Sequence, residues 1–233
     1  MTLYEAIFAR RSVRKYRENP LGTEVLAEIQ NYAASAKQLP GHSARFETVG
    51  GDALKGGIAP YAILAHSGGS DAELVNIGYT LQGVDLYLQS TGYGSVWCGM
   101  AAPREPAPDY RILLGFGETG VPLRSGEGDF KRKKLSDLCD TDNAAARAAW
   151  LAPSAVNFQP WKLSFEADKA VLRVNVRGIG RVLPGKLYLF DLGIALKHVE
   201  LALEHEGKTV AGFSVTGSGK DTAVAIQAGS DGF

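Results

Sequence analysis

Two long apolar helices with one shared pattern constrain the fold of this chain most strongly. In the first, apolar residues recur at steps of three and four, which places them on one stripe of a helix. These residues are Leu74, Ile77, Leu81, Val84 and Leu88. The same stripe recurs later at Leu192, Leu196, Val199 and Leu203. We therefore predict two dominant central helices, the first of which is apolar on further faces and so buried on most sides.

The two helices also share residue identities. A shift of 115 positions (193 minus 78) pairs identical residues at six of the sixteen positions from Ile77 to Gly92. The pairs are Gly78 with Gly193, Leu81 with Leu196, Val84 with Val199, Leu86 with Leu201, Leu88 with Leu203 and Gly92 with Gly207. Asp85 against Glu200 is a conservative seventh pair, whereas ordinary composition gives roughly one match. Chance is the alternative, because Leu and Val dominate buried stripes and Gly commonly follows a helix end.

A second internal match favours duplication over chance. Ala34-Ser35-Ala36, Pro40 and Phe46-Glu47 align with Pro153-Ser154-Ala155, Pro160 and Phe165-Glu166 at a shift of 119 to 120. We interpret the chain as a diverged tandem duplication that joins near Cys139 to Asn143, with halves at 1–140 and 141–233. Helices are mixed with six predicted strands, so the predicted class is α+β. The strands are Tyr61 to His66, Ser95 to Ala101, Ile112 to Phe116, Val171 to Val176, Val210 to Val215 and Ala223 to Ala228.

Charge and cysteine content exclude several functional classes. Residues up to 140 carry 15 basic and 16 acidic side chains, and the remainder carry 10 and 9, so neither half has the basic excess of a nucleic-acid binder. The two cysteines, Cys98 and Cys139, form no CxxC pair, and no His spacing is typical of a metal site. No apolar run reaches membrane-spanning length, and the N-terminus has no signal-peptide pattern. A cytoplasmic protein without a metal or a membrane partner is expected.

Two distant segments carry the chemistry. Arg10-Arg11-Ser12-Val13-Arg14 lies where a first helix stops, and its guanidinium groups and hydroxyl suit a phosphate. An exposed basic turn is the alternative for this motif. In the second segment, 152–161, Pro153 and Pro160 rigidify a turn whose Asn157 and Gln159 could read the edge of a polar ring. The alternative is that these amides only cap the turn.

These motifs, together with Gly92-Tyr93-Gly94-Ser95-Val96-Trp97, resemble the FMN-dependent nitroreductase family. In that family both motifs usually occur in one repeat, and two chains form an intertwined homodimer with FMN at the interface. Here the intact turn lies in the second half. The chain therefore resembles the subfamily in which one chain imitates the dimer, as two half-repeats with mainly antiparallel sheets that are packed as a pseudo-dimer.

The resemblance implies a single FMN site between the halves. Arg10, Arg11, Ser12 and Arg14 would grip the phosphate and ribityl chain, helped by Lys131, Arg132 and Lys133. Pro153, Ser154, Ala155, Asn157 and Gln159 would contact the isoalloxazine and ribityl groups, and the backbone near Cys98 and Gly99 would lie close to the reactive edge of the ring. Without the resemblance, the basic run 131–134 is better interpreted as a solvated surface.

The resemblance also implies a reaction. NADH or NADPH would deliver hydride to FMN, and a small-molecule acceptor such as a nitroaromatic or quinone would then be reduced, with no side chain as nucleophile. The alternatives are a flavin-binding sensor or scaffold without turnover, and another flavin reaction on the same fold, such as reductive dehalogenation. The chain is expected to be a monomeric pseudo-dimer or a weak homo-oligomer.

Overall fold

Two buried helices form the centre of the molecule. The computed structural model describes residues 1–166, 168–176 and 186–229. Helix α3 (Asp71–Ser90) begins with a capping box between Ser70 and Glu73, and α6 (Leu187–His205) is buried from Leu187 to Leu203. Gly92 and Gly207, each two residues past a helix end, have φ of 96° and 74°, which glycine adopts at little cost. The predicted burial of the first central helix is confirmed.

The central helices touch backbone to backbone at the glycine pair found in the sequence repeat. A Cβ atom on Gly78 would overlap the carbonyl oxygen of Phe190, and one on Gly193 would overlap that of Val75. Phe190 and Val75 are themselves related by the 115-residue shift (190 minus 75). The contact is therefore reciprocal, as in an interface related by a twofold axis.

Substituting a glycine of this pair is expected to separate the central helices. Gly193→Ala should lower the free energy of unfolding by about 1–3 kcal/mol, because the added methyl group overlaps backbone that cannot rotate away. Denaturant unfolding followed by circular dichroism measures the change. Gly83→Ala on α3 is the matched control, since its Cβ would meet Lys197 Cε at an ordinary 3.6 Å. Equal losses in the two variants would contradict the close-approach explanation.

Each half contains a four-stranded antiparallel sheet. The first comprises β1 (Arg45–Gly50), β2 (Tyr61–His66), β3 (Tyr93–Cys98) and β4 (Tyr110–Glu118) in the order β1-β2-β4-β3. The second comprises β5 (Trp161–Glu166), β6 (Lys169–Val174), β7 (Val210–Thr216) and β8 (Ala223–Ala228) in the order β5-β6-β8-β7. The strand orders correspond one to one, and the described strands of both sheets pair antiparallel. The α+β class with two half-repeats is confirmed.

The predicted strands agree with the observed ones more closely in position than in length. β2 and β8 have the predicted bounds. β3 ends at Cys98 rather than Ala101, because the chain turns at Gly99 and Met100. β1 and β5, which contain Phe46-Glu47 and Phe165-Glu166 of the second internal match, were not predicted as strands.

Shorter helices surround this centre. They are α1 (Leu3–Ala9), α2 (Thr23–Ser35), α4 (Leu135–Leu138) and α5 (Ala144–Leu151). α1 ends at Ala9 with Arg10 as its C-cap, so the arginine motif begins where the sequence predicted a helix end. Cys139 forms an isolated bridge with Leu163 of β5, so the chain has reached the second sheet before residue 140. The division at 1–140 and 141–233 remains our proposal, and residues 167, 177–185 and 230–233 of the second half lie outside the described residues.

Candidate functional site

The arginine motif is anchored to α3 and β3. Arg10 is 1% exposed, and its Nε donates to Asp85 Oδ2 at 2.9 Å. The Arg11 backbone N–H donates to Gln89 Oε1 at 2.8 Å, and the Val13 N–H donates to the Ser95 carbonyl oxygen at 2.9 Å. These bonds leave Ser12 and Arg14 exposed on one side of the segment. Arg10 is therefore a buried support, while Ser12 and Arg14 are available to a ligand.

A basic cavity of about 650 Å³ lies beside this segment, and we call it the anion pocket. Its basic and neutral polar walls are Arg10, Arg11, Ser12, Arg14, Lys15, Arg124, Lys131, Arg132, Ser154 and Asn157. The carboxylate of Asp129 also lines it, but Asp129 Oδ2 accepts from the backbone N–H and the hydroxyl of Ser125, both at 2.8 Å. The structure thus brings the 10–14 motif together with Lys131 and Arg132, as the resemblance implies.

The cations of the anion pocket repel one another. The pKa of Arg132 is lowered to about 9, first by burial and then by the neighbouring Arg10 and Arg124. The pKa of Arg124 is also lowered, first by burial and then by Arg10 and Arg11. Arg10 Nη2 and Arg132 Nε are buried without a hydrogen-bond partner among the described residues. Crowded guanidinium groups with unused donors fit an anion such as a phosphate.

The turn between α5 and β5 has a strained backbone. Val156, Asn157 and Gln159 have φ of 47°, 60° and 49° in the left-handed region, which is unusual for non-glycine residues and most costly for a β-branched valine. Such conformations persist only where the surrounding structure holds them, and they are most frequent at active sites and ligand-binding sites. The turn is thus built to a fixed shape.

Side-chain amides supply much of that support. Gln159 is 1% exposed, and its Oε1 accepts from the Lys133 N–H at 2.9 Å. Lys133 Nζ donates to the Gln159 carbonyl oxygen at 3.3 Å. Asn157 Oδ1 accepts from Arg132 Nη1, and its Nδ2 donates to the Lys131 carbonyl oxygen, both at 2.6 Å. Gln159 and Lys133 therefore hold the turn and line neither wall of the site, whereas Asn157 lines the anion pocket.

A second, mainly apolar cavity of about 620 Å³ adjoins the first, and we call it the ring pocket. The first half contributes Lys55, Ile58, Trp97, Cys98, Gly99 and Met100, and the second contributes Pro153, Ser154, Ala155, Val156, Leu187, Phe190, Asp191 and Ile194. Ser12, Arg14, Pro153, Ser154 and Val156 line both pockets. The two cavities therefore form one composite cleft between the halves.

The mouth of the ring pocket is apolar. Met100 is 80% exposed and Val156 is 79% exposed; with Met1, they are the large hydrophobic side chains exposed in the described part of the chain. Met100 comes from the first half and Val156 from the second. Burial raises the pKa of the Cys98 thiol above its ordinary range, so Cys98 is a neutral wall residue at neutral pH.

Lys55, Arg124 and Asp191 are among the lining residues that were not predicted. Lys55 stands in the glycine-rich stretch 50–57, and Arg124 lies in the connection after β4. The glycines around Lys55 offered a weak signal, whereas Arg124 offered none. Asp191 lies within the apolar pattern of α6, where a carboxylate among apolar residues was the available signal.

The sequence predicts neither a metal site nor a membrane-spanning helix. Within the residues that the structure describes, no cluster of three or more His, Cys, Asp or Glu side chains could hold a metal ion. Among the helices with described residues, none is both long enough and apolar enough to cross a membrane.

Comparison with solved structures identifies a similar fold. A crystal structure from Thermotoga maritima, described as a "putative nitroreductase", superposes with a TM-score of 0.71 at 23% identity and covers 97% of this chain and 94% of its own. A "putative nitroreductase in complex with FMN" from Desulfovibrio desulfuricans has a TM-score of 0.44 at 16% identity and covers 60% of this chain and 96% of its own. An "FMN-dependent nitroreductase" from Clostridium difficile has a TM-score of 0.42 at 20% identity, with coverage of 55% and 90%.

The chain was also compared with curated proteins and with protein families. No curated protein matches it. A family model described as "Putative TM nitroreductase" matches residues 2–203. Because this match extends over most of the sequence, including the arginine motif, the strained turn and both central helices, the chain belongs to that nitroreductase family.

Proposed function

We propose that the chain binds one FMN in the composite cleft and acts as an NAD(P)H-dependent oxidoreductase. The observation that carries the proposal is the junction of a crowded cationic pocket with an apolar pocket through Ser12, Arg14 and Ser154. A phosphate monoester joined to a flat ring has the same division of charge. The cationic walls of the anion pocket fit its phosphate, and the apolar walls of the ring pocket fit its ring.

The side chains would bind and orient the cofactor rather than react with it. Arg11, Ser12 and Arg14 would hold the phosphate, and Pro153 to Val156 with the backbone at Gly99 would confine the ring. Lys55 and Arg14 carry positive charge at the ring pocket, which favours an anionic reduced ring. When bound, FMN supplies hydride transfer from NADH or NADPH to an oxidised acceptor, for which we propose a small nitroaromatic or quinone.

We propose a single site per chain because the second possible site, around Glu200, is filled by side chains of the protein. Glu200, the counterpart of Asp85, is fully buried, and its carboxylate accepts from Lys37 Nζ at 2.6 Å and Lys197 Nζ at 2.5 Å. Tyr79 Oη also donates to it at 2.7 Å, and the Phe213 ring packs against Tyr79. The lysines there have a carboxylate partner and need no external anion. We accordingly propose that the chain acts as a monomeric pseudo-dimer.

Flavin content and flavin reduction test this function. The purified chain, reconstituted with FMN, is expected to hold one FMN per chain by its visible spectrum. Anaerobic stopped-flow mixing with NADH or NADPH should bleach that spectrum, and a nitroaromatic or quinone should restore it. Stoichiometric FMN without bleaching by either nucleotide would instead indicate a flavin-binding protein without turnover. One FMN per two chains would contradict the composite site.

A further inference from the structure

Asp191 is a buried carboxyl group with one unused oxygen at the ring pocket. It lies on α6, lines the pocket and is 3% exposed. Its Oδ1 accepts from the Ala155 N–H at 3.0 Å, which ties α6 to the strained turn. Its Oδ2 has no hydrogen-bond partner among the described residues. The neighbouring wall residues on the same helix, Leu187, Phe190 and Ile194, offer no polar group that could serve as one.

Asn76, the related residue of the first half, has a hydrogen-bond partner at the atom that corresponds to Asp191 Oδ2. Asn76 stands at the same position under the 115-residue shift (191 minus 76), and its Oδ1 accepts from the Leu39 N–H at 2.7 Å, much as Asp191 accepts from Ala155. Asn76 Nδ2 then donates to Gln38 Oε1 at 2.8 Å. Asn157, which aligns with Gln38, is instead bonded to Arg132 and Lys131. In the second half, Oδ1 therefore also accepts from a backbone N–H of the turn, while Oδ2 has no partner among the described residues.

The charged groups near Asp191 do not neutralise it. Arg14, Lys55 and Cys98 line the same pocket, and none of them forms an ion pair or hydrogen bond with Asp191 in the described structure. On its own helix, Lys186 pairs with Asp71, and Lys197 pairs with Glu200. The pKa of Asp191 is raised to about 8, because burial outweighs the opposing hydrogen bond from the Ala155 N–H. The side chain is thus mainly a carboxylic acid at neutral pH, with an O–H that has no acceptor in the described protein.

We propose that Asp191 donates a hydrogen bond to a carbonyl or nitro oxygen of the ring that occupies the ring pocket. The oxygen belongs either to the flavin or to the electron acceptor, and the chemistry of recognition is the same for both. This inference rests on the proposed function, and it adds a residue that selects for an oxygen-bearing ring.

Two variants separate hydrogen-bond donation from folding. Asp191→Asn keeps the shape, keeps an acceptor for the Ala155 N–H and donates at every pH, whereas Asp191→Leu removes both functions. A neutral hydrogen bond contributes about 0.5–1.5 kcal/mol, so Asp191→Leu should weaken ring binding about 2- to 10-fold. Thermal unfolding of each variant shows whether it is folded at the assay temperature. If Asp191→Leu is not folded, the comparison of Asp191→Asn with the wild type is the test.

Binding is measured at pH 6.5 and pH 9.5 with two probes. Quenching of FMN fluorescence by the apoprotein reports a flavin oxygen, and difference spectra of menadione added to the oxidised FMN-bound protein report an acceptor oxygen. Since the donor proton is present below the pKa and lost above it, the wild type should bind one of the two probes more weakly at pH 9.5. Asp191→Asn should lose less affinity for that probe between pH 6.5 and pH 9.5 than the wild type does, and the probe affected identifies the source of the oxygen.

Groups such as Cys98 titrate in all three proteins, so the comparison between proteins isolates Asp191. If Asp191→Asn and Asp191→Leu follow the wild-type pH dependence with both probes, Asp191 is not the donor, although the proposed function stands. If the wild type binds no FMN, both proposals fail.

Discussion

Replacing Arg14 with alanine is expected to raise the dissociation constant of FMN about 10- to 100-fold. Arg14 lines both pockets, is exposed, and makes no ion pair with a described residue. Its removal therefore costs the fold little while it deletes a charged donor to the phosphate. Hydrogen bonds to charged groups contribute about 1.5–3 kcal/mol, and each 1.4 kcal/mol is about a tenfold change in affinity.

Titration of the apoprotein with FMN, followed by quenching of flavin fluorescence, measures this change. Arg17→Ala is the matched control, because Arg17 is an exposed arginine three positions later that lines neither pocket. Arg17→Ala should retain the wild-type affinity, and both variants should unfold within about 0.5 kcal/mol of the wild type. Full FMN affinity in the Arg14 variant would show that the phosphate binds elsewhere.

Removing the carboxylate of Asp85 is expected to cause the largest loss of stability. Asp85 is fully buried and accepts from Arg10 Nε at 2.9 Å and from Ser95 Oγ at 2.6 Å. Gln82 and Gln89 also donate to it, each at 3.2 Å. Asp85→Ala leaves Arg10 buried without a counter-charge, next to the other arginines of the anion pocket. Breaking a buried pair in this way costs about 3–5 kcal/mol, or a fall in Tm of about 6–20 °C for a chain of this length.

Thermal unfolding by circular dichroism measures the fall in Tm. The double variant Arg10→Met, Asp85→Leu removes both charges and should recover part of the loss, because the uncompensated charge and not the missing contact dominates the penalty. Asp85→Ala should also bind FMN less tightly at temperatures where it is folded, since Arg10 fixes the start of the arginine motif 10–14. A single variant as stable as the wild type would contradict the assignment of Arg10 as a buried support.

The sequence predicted those features that depend on periodicity and internal similarity. Gly78 and Gly193 were found because the two central helices touch backbone to backbone at both residues. Asp85 and Glu200 were found because each position holds a buried carboxylate. Strand ends were less predictable, since β3 stops where Gly99 and Met100 turn, and alternation of polar and apolar residues does not reveal a turn.

Within the candidate site, the sequence predicted which segments meet but not what each side chain does. Arg10 and Gln159 belong to the predicted motifs, yet both are buried and bonded to protein atoms. A motif gives only the order of residue types. The partner of Arg10 is Asp85, 75 positions away, and the partner of Gln159 is Lys133, 26 positions away. Such partners are set by the packing of distant segments, which a single sequence does not specify.

The composite cleft also determines when in folding a ligand can be captured. Ser12 and Ser154 share both pockets although they lie 142 positions apart (154 minus 12), so the cleft is closed by contacts of long sequence separation. Such contacts form late, because a long loop must lose its entropy before they are made. Under the proposed function, FMN is therefore not expected to serve as a nucleus around which the chain collapses. It would act by mass action on the folded chain and shift the equilibrium away from chains whose halves have not yet docked.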